Sequence, residues 1–146
     1  MSFRTWLFTA LLAVPLISLS MAALNRAINY TPVMAAATGV EAICYLYAEE
    51  DGLLSKTTMT SESLPCDKAE KLQASHPAYR DRTVKGDMKI SFEYVSPADN
   101  RQHSGTLIYS YERYRPLMTL EYGANLPILA HETDPEKVMQ DLDSLA

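Results

Sequence analysis

Glycine is scarce, with five in 146 residues. That leaves little room for the glycine-rich loops that cradle phosphates, and neither a P-loop nor a dinucleotide fingerprint occurs. No serine is flanked by the glycines of a nucleophile elbow, so the serines carry no hydrolase signature. Histidine is sparse too. His76, His103 and His131 stand apart from one another and from both cysteines, without metal-ligand spacing. A zinc site can be drawn from Cys44, Cys66 and one histidine, but no spacing selects it. Positive charge is in short supply: 13 Lys and Arg stand against 18 Asp and Glu, a formal net charge of −5. A nucleic-acid partner, which needs clustered positive charge, is excluded on that ground. A polybasic grip on anionic lipid is excluded equally. The acidic groups that do cluster, Glu49-Glu50-Asp51 and Asp134 with Glu136, read as a solvated turn and a helix start, not as a catalytic pair. The expectation is a protein that is not an enzyme and uses no cofactor and no metal.

Long apolar runs are also missing, with one exception. Residues 6–24 are uncharged and apolar between Arg4 and Arg26. Spanning a bilayer takes roughly 20 such residues. Pro15 costs a helical hydrogen bond, which membrane helices tolerate better than soluble ones. Two readings compete. A secretory signal would have Arg4 as its basic start and Ser20-Met21-Ala22 as its cleavage pattern. The run is longer than a usual signal core and continues through Ala27 and Ile28, which favours an uncleaved single-span anchor. The expected organisation is therefore an anchor over residues 1–28, a linker over 29–37 that includes Pro32, and one domain over 38–146. Membrane lipid is the expected partner of residues 6–24.

Orientation is nearly tied on charge, since Arg4 flanks one end of the run and Arg26 the other. Cysteine decides it. Cys44 and Cys66 are the whole complement, and both lie beyond the apolar run. An oxidising compartment would permit them one disulfide. Closing a loop of about 20 residues contributes roughly 3 kcal/mol in the chain-entropy model. The alternative is two unrelated buried thiols. With the disulfide, the domain faces outward.

The domain reads as mainly β. Thr38–Ala48 alternates Val40, Ala42, Cys44 and Leu46 with Ile43, Tyr45 and Tyr47, both sets being fairly apolar. Asp51-Gly52 signals a hairpin turn, and Leu53–Thr60 a return strand. Asp67 is placed to cap a helix over Lys68–Ala74, with Glu70 completing a capping box and His76-Pro77 ending it. Met88, Ile90, Phe92 and Tyr94 alternate with Lys89, Ser91 and Glu93, the period of a half-buried strand. Turn residues Ser96–Asn100 then lead into a strand over Gln102–Tyr111. Glu112–Leu117 reads as a short helix or turn. Leu117–Tyr122 and Leu126–His131 read as a last strand pair or one bent strand. Asp134 and Pro135 would start a C-terminal helix carrying Val138, Met139 and Leu142.

Four short motifs carry a likeness. They are Ala37-Thr38-Gly39-Val40-Glu41, Ile90-Ser91-Phe92-Glu93-Tyr94-Val95-Ser96-Pro97, Ser104-Gly105-Thr106-Leu107 and Thr133-Asp134-Pro135-Glu136-Lys137. Through them, residues 37–137 resemble the domain-of-unknown-function family 3592, small bacterial membrane-associated proteins. The resemblance implies a small antiparallel β barrel or sandwich, with one or two short helices, beside a membrane span. Family members often carry a second span, and this sequence shows none. Their glycine-plus-Asp turn before the last strand is here Gly123-Ala124-Asn125. The resemblance supplies no catalytic residue.

Tyr109, Tyr111, Tyr114 and Tyr122 cluster late in the sequence, with Arg113 and Arg115 interleaved. Tyrosine and arginine are enriched where interfaces concentrate binding energy. Hairpins also use tyrosines for cross-strand pairs, so sheet packing is the competing reading. As a partner surface, Tyr109, Tyr111, Arg113, Tyr114 and Arg115 suit an interaction module or accessory subunit of a membrane complex. The expected place is the bacterial inner membrane, single pass, with the C-terminal domain in the periplasm. The alternative is an exported ligand-binding or inhibitor domain with its leader removed.

Overall fold

Alternation of apolar and polar residues along the middle of the chain produces its longest strands. The computed structural model describes residues 21–52 and 55–145. Residues 21–29 are helical (α1). Strand β1 covers Tyr30–Asp51, β2 Lys56–Thr60 and β3 Leu64–Pro65, followed by helix α2, Cys66–Ser75. After a 3-10 turn at Pro77–Tyr79 come β4, Thr83–Val95, and β5, Gln102–Ser110. A single helical turn, α3 (Tyr111–Tyr114), runs into a 3-10 stretch at Arg115–Thr119, and β6 (Asn125–His131) and β7 (Val138–Gln140) close the order. The strands form one sheet in the order β5-β4-β1-β6-β7, with β2 and β3 both pairing with β1. The mainly β expectation is met, by one sheet among the described residues. The expected membrane span lies outside them over residues 6–20. Among the described residues, no helix is long and apolar enough to cross a membrane.

The chain divides into two compact units. The larger holds Met34–Tyr94 and Ser104–Leu126. In it, β1 and β4 are antiparallel, with Cys44 opposite Gly86, Ala42 opposite Met88 and Val40 opposite Ile90. One face is buried: Cys44 and Leu46 on β1, and Met88, Ile90, Phe92 and Tyr94 on β4. The other face leaves Ile43 60 % exposed, so the two apolar sets of β1 are not equivalent. The register shifts between Ala37 and Gly39. An extra residue in one strand reverses which side chains face inward. Ala35 and Ala37, at odd positions, are buried before that shift, and Cys44 and Leu46, at even positions, after it. Gly52 N donates to Ser55 O at 2.8 Å in the β1–β2 turn.

The smaller unit holds residues 21–33, Val95–His103 and 127–145. Ser96 N donates to Arg101 O at 2.9 Å, closing the turn that was expected after β4, and Asn100 takes a positive φ of 55° there. Strands β6 and β7 pair antiparallel, with Ile128 opposite Gln140 and Ala130 opposite Val138.

Four local expectations are corrected. Residues 30–37, expected as linker, already belong to β1. The α2 N-cap is Pro65, with no side-chain cap bond; Asp67 sits in the first turn and faces Lys71 at 3.9 Å. Leu117–Tyr122 is not a strand but the end of a 3-10 stretch and a turn. Val138–Gln140 is strand rather than helix. Its cause is local: Asp134 Oδ1 accepts from Glu136 N at 3.1 Å, and His131 N donates to Lys137 O at 3.0 Å. The turn so formed sends the chain back along β6, where sheet pairing outweighs the propensity of one short helix.

Candidate interaction surface

Helix α2 is pinned at its first residue. Cys66 is bonded to Cys44 of β1, the pairing expected of an oxidising compartment. With Ala69 and Tyr111, the two cysteines form a buried cluster against which Ala42, Leu64 and Val84 pack. Because the cysteines are bonded to each other, neither can supply a thiolate to a metal. Among the described residues, no three His, Cys, Asp or Glu side chains gather at a metal-binding distance.

Glu70 lies four residues after Cys66, one helical turn along α2 and on the same side. Its Oε1 accepts from the Tyr111 hydroxyl at 2.6 Å and meets the Arg115 guanidinium at 2.5 Å. Arg115 also lies 6.0 Å from the centre of the Tyr111 ring. Burial, then the hydrogen bond and negative charge of Glu70, hold the Tyr111 hydroxyl above its ordinary pKa, and Arg115 opposes this in part. Next along, Arg113 stands 5.5 Å over the Tyr114 ring, and that ring meets Tyr109 edge-on at 5.6 Å. A cleft of about 330 Å³ opens here, its wall including Glu70, Gln73, Tyr111, Glu112 and Arg115.

The five residues expected as a partner surface divide in two. Tyr109 and Tyr111 are buried, at 1 % and 5 % exposure, and cannot present a face to a partner. For these two, packing is the better reading: Tyr111 joins the cluster of Cys44, Cys66 and Ala69, and the Tyr109 ring meets Tyr114 edge-on. Arg113 and Arg115 are exposed and Tyr114 is half-buried, so the surface that remains is arginine-rich, with tyrosine beneath it. Sequence reasoning missed Glu70, which positions Arg115. Its distance along the chain from the Tyr-Arg cluster concealed it, and only its place one turn after Cys66 could have suggested the meeting.

A second feature lies in the smaller unit. On α1, Met21, Leu24 and Ile28 are 68 %, 59 % and 60 % exposed, and their spacing places them on one helix face. Arg26 approaches the buried Asp141 at 3.8 Å and the exposed Asp143 at 3.4 Å. Ser144 donates to Asp141 at 2.6 Å. These groups line part of a cleft of about 640 Å³ that Tyr30, Pro32 and Leu129 complete.

No protein-family model matches the chain, and no curated protein or solved structure is significantly similar to it. The resemblance to family 3592 therefore rests on its four short motifs.

Proposed function

We propose that the protein is a non-enzymatic, single-pass β domain that docks on a membrane-protein partner in the bacterial periplasm. The observation that carries this reading is the disulfide-pinned face of α2. The disulfide-tethered helix holds Arg115 through Glu70, and beside it Arg113 stands over the Tyr114 ring; both arginines are exposed. Arginine on an aromatic support, its geometry fixed before a partner arrives, loses little entropy on binding. Residues 6–24 would hold membrane lipid, and the exposed stripe of Met21, Leu24 and Ile28 continues their apolar character into α1. The resemblance to family 3592 supports the same placement. A cleaved leader and an exported ligand-binding domain form the second reading, which the open clefts favour.

The test is photo-crosslinking in intact cells, with a reactive residue placed at position 113, 115 or, as a control, 81. The reading expects an adduct to one membrane protein from 113 and 115 and none from 81. It also expects a full-length chain that resists alkaline extraction from membranes. A shortened chain released as a soluble monomer, with no position-dependent adduct, would overturn it in favour of the exported domain.

A further inference from the structure

Beyond the arginine surface, the outward face of the β1–β4–β5 sheet carries a groove that neither the packing nor the proposed docking uses. Ile90 and Phe92 are buried, so Ser91 between them points to the opposite face. Gly39 is its partner across the β1–β4 pair, and directly opposed residues share a face. Side chains on this stretch are therefore small. The groove measures about 350 Å³, and its wall includes Thr38, Ser91, Glu93, Ser104, Thr106 and Tyr122. Among the described residues, the hydroxyls of Thr38, Ser91, Ser104 and Thr106 are engaged by no other side chain.

Tyr122 borders this groove and is 82 % exposed, the highest value of any large apolar residue described. Its backbone is firmly held. Gly123 adopts a φ of 82°, which favours glycine, and its N donates to Ala37 O at 2.8 Å. Ala37 N in turn donates to Ala124 O at 2.9 Å. The ring thus stands on a fixed turn beside a floor of short hydroxyls.

We propose that this groove binds a neutral saccharide chain. A sugar ring has a flat C–H face and a rim of hydroxyls. The first suits an exposed tyrosine ring, which offers a large contact area at small entropic cost. The second suits serine and threonine hydroxyls, which both donate and accept. Other ligand classes fit less well. Among the described residues no Lys or Arg lines the groove, so an anion would find no opposite charge there. A wholly apolar ligand would strip water from four hydroxyls and return no hydrogen bond. An extended peptide relies on side-chain pockets for its specificity, which this shallow polar floor lacks.

The experiment is an NMR titration of the full chain in a zwitterionic detergent without sugar headgroups. The probes are maltotriose, cellotriose and chitotriose. At least one should give saturable shifts at Ser91, Ser104, Thr106 and Tyr122, with a dissociation constant on the order of 1 mM. Tyr122→Ala should weaken binding at least about tenfold, while Tyr122→Phe, which keeps the ring, should retain it. Gly39→Leu supplies an independent block. A Cβ at Gly39 meets nothing within 4 Å and its φ is not positive, so the variant should fold and lose the titration. Arg113→Glu should leave the titration unchanged. No saturable shift with any of the three sugars would overturn the proposal, as would shifts that persist in both Tyr122→Ala and Gly39→Leu.

Discussion

Gly86 of β4 stands directly opposite Cys44 of β1, and a Cβ at Gly86 would lie 2.7 Å from the Cys44 sulfur. The same Cβ would fall 2.4 Å from the carbonyl oxygen of Ile43, which is backbone and cannot rotate away. The disulfide therefore occupies space that the neighbouring strand leaves by having no side chain. Gly86→Ala should force the strands apart locally and cost about 1–3 kcal/mol, as overpacking of a filled interior does. Chemical denaturation of the variant checks this. Gly39→Ala, made on the opposite face, should be close to neutral.

Removing the bridge itself should act on one helix more than on the sheet. Replacing Cys44 and Cys66 together by serine should cost roughly 3 kcal/mol for a loop of this length. Hydrogen exchange should rise first across Cys66–Ser75, since its buried contacts are few: Cys66 and Ala69 are its only buried residues. Equal acceleration across β1 and β4 would show instead that the sheet depends on the bridge.

β4 was legible because it shows one clear period. Met88, Ile90, Phe92 and Tyr94 keep a single face over four repeats, and all four are buried. β1 was legible only after Gly39. The bulge at Thr38 exchanges its two faces, so Thr31–Ala37 follow a phase opposed to that of Val40–Leu46 and read as linker. β7 was hidden for a different reason. Val138, Met139 and Leu142 satisfy helical spacing, but the Asp134 turn fixes the chain direction before the helix can begin. At the candidate surface, the Tyr-Arg cluster was visible as composition. Burial of Tyr109 and Tyr111 and the arrival of Glu70 from α2 depend on tertiary contact, which no local pattern encodes.

The contact of Tyr111 with Glu70 and Arg115 separates packing from recognition. Tyr111→Phe keeps the ring in its buried cluster and removes the hydroxyl, so it should cost about 1.5–3 kcal/mol, the range of a hydrogen bond to a charged group. Arg115→Ala should change stability by less than about 1 kcal/mol, because the arginine is mostly exposed. Its effect should appear in the crosslinking yield at position 113. A large stability loss from Arg115→Ala would mark the arginine as structural and weaken the proposed docking surface. Thermal denaturation beside the crosslinking assay distinguishes the two results.

Stability should fall at both ends of the pH scale, for different groups. The hydrogen bond from His103 holds Asp99 below the usual carboxylate range, Lys137 does the same for Asp134, and Lys56 for Glu49. A depressed carboxylate stabilises the fold above its unfolded pKa and loses that contribution as pH falls through its folded pKa. The acid limb should therefore run from about pH 5 down to about pH 2. Asp134→Asn should flatten it and also loosen the β6–β7 turn. At the alkaline end the sign reverses. Burial, aided by Glu70, holds Tyr111 above its ordinary value, so its contribution is complete below the unfolded tyrosine pKa and is lost as pH rises past it. Tyr47, raised by its bond to Glu49, and Lys137, raised by Asp134, add to the same limb. Thermal melts from about pH 8 to about pH 11 should show the decline in the native chain and a shallower one in Tyr111→Phe. If the two curves stay parallel throughout, the alkaline loss belongs to Tyr47 and Lys137 instead.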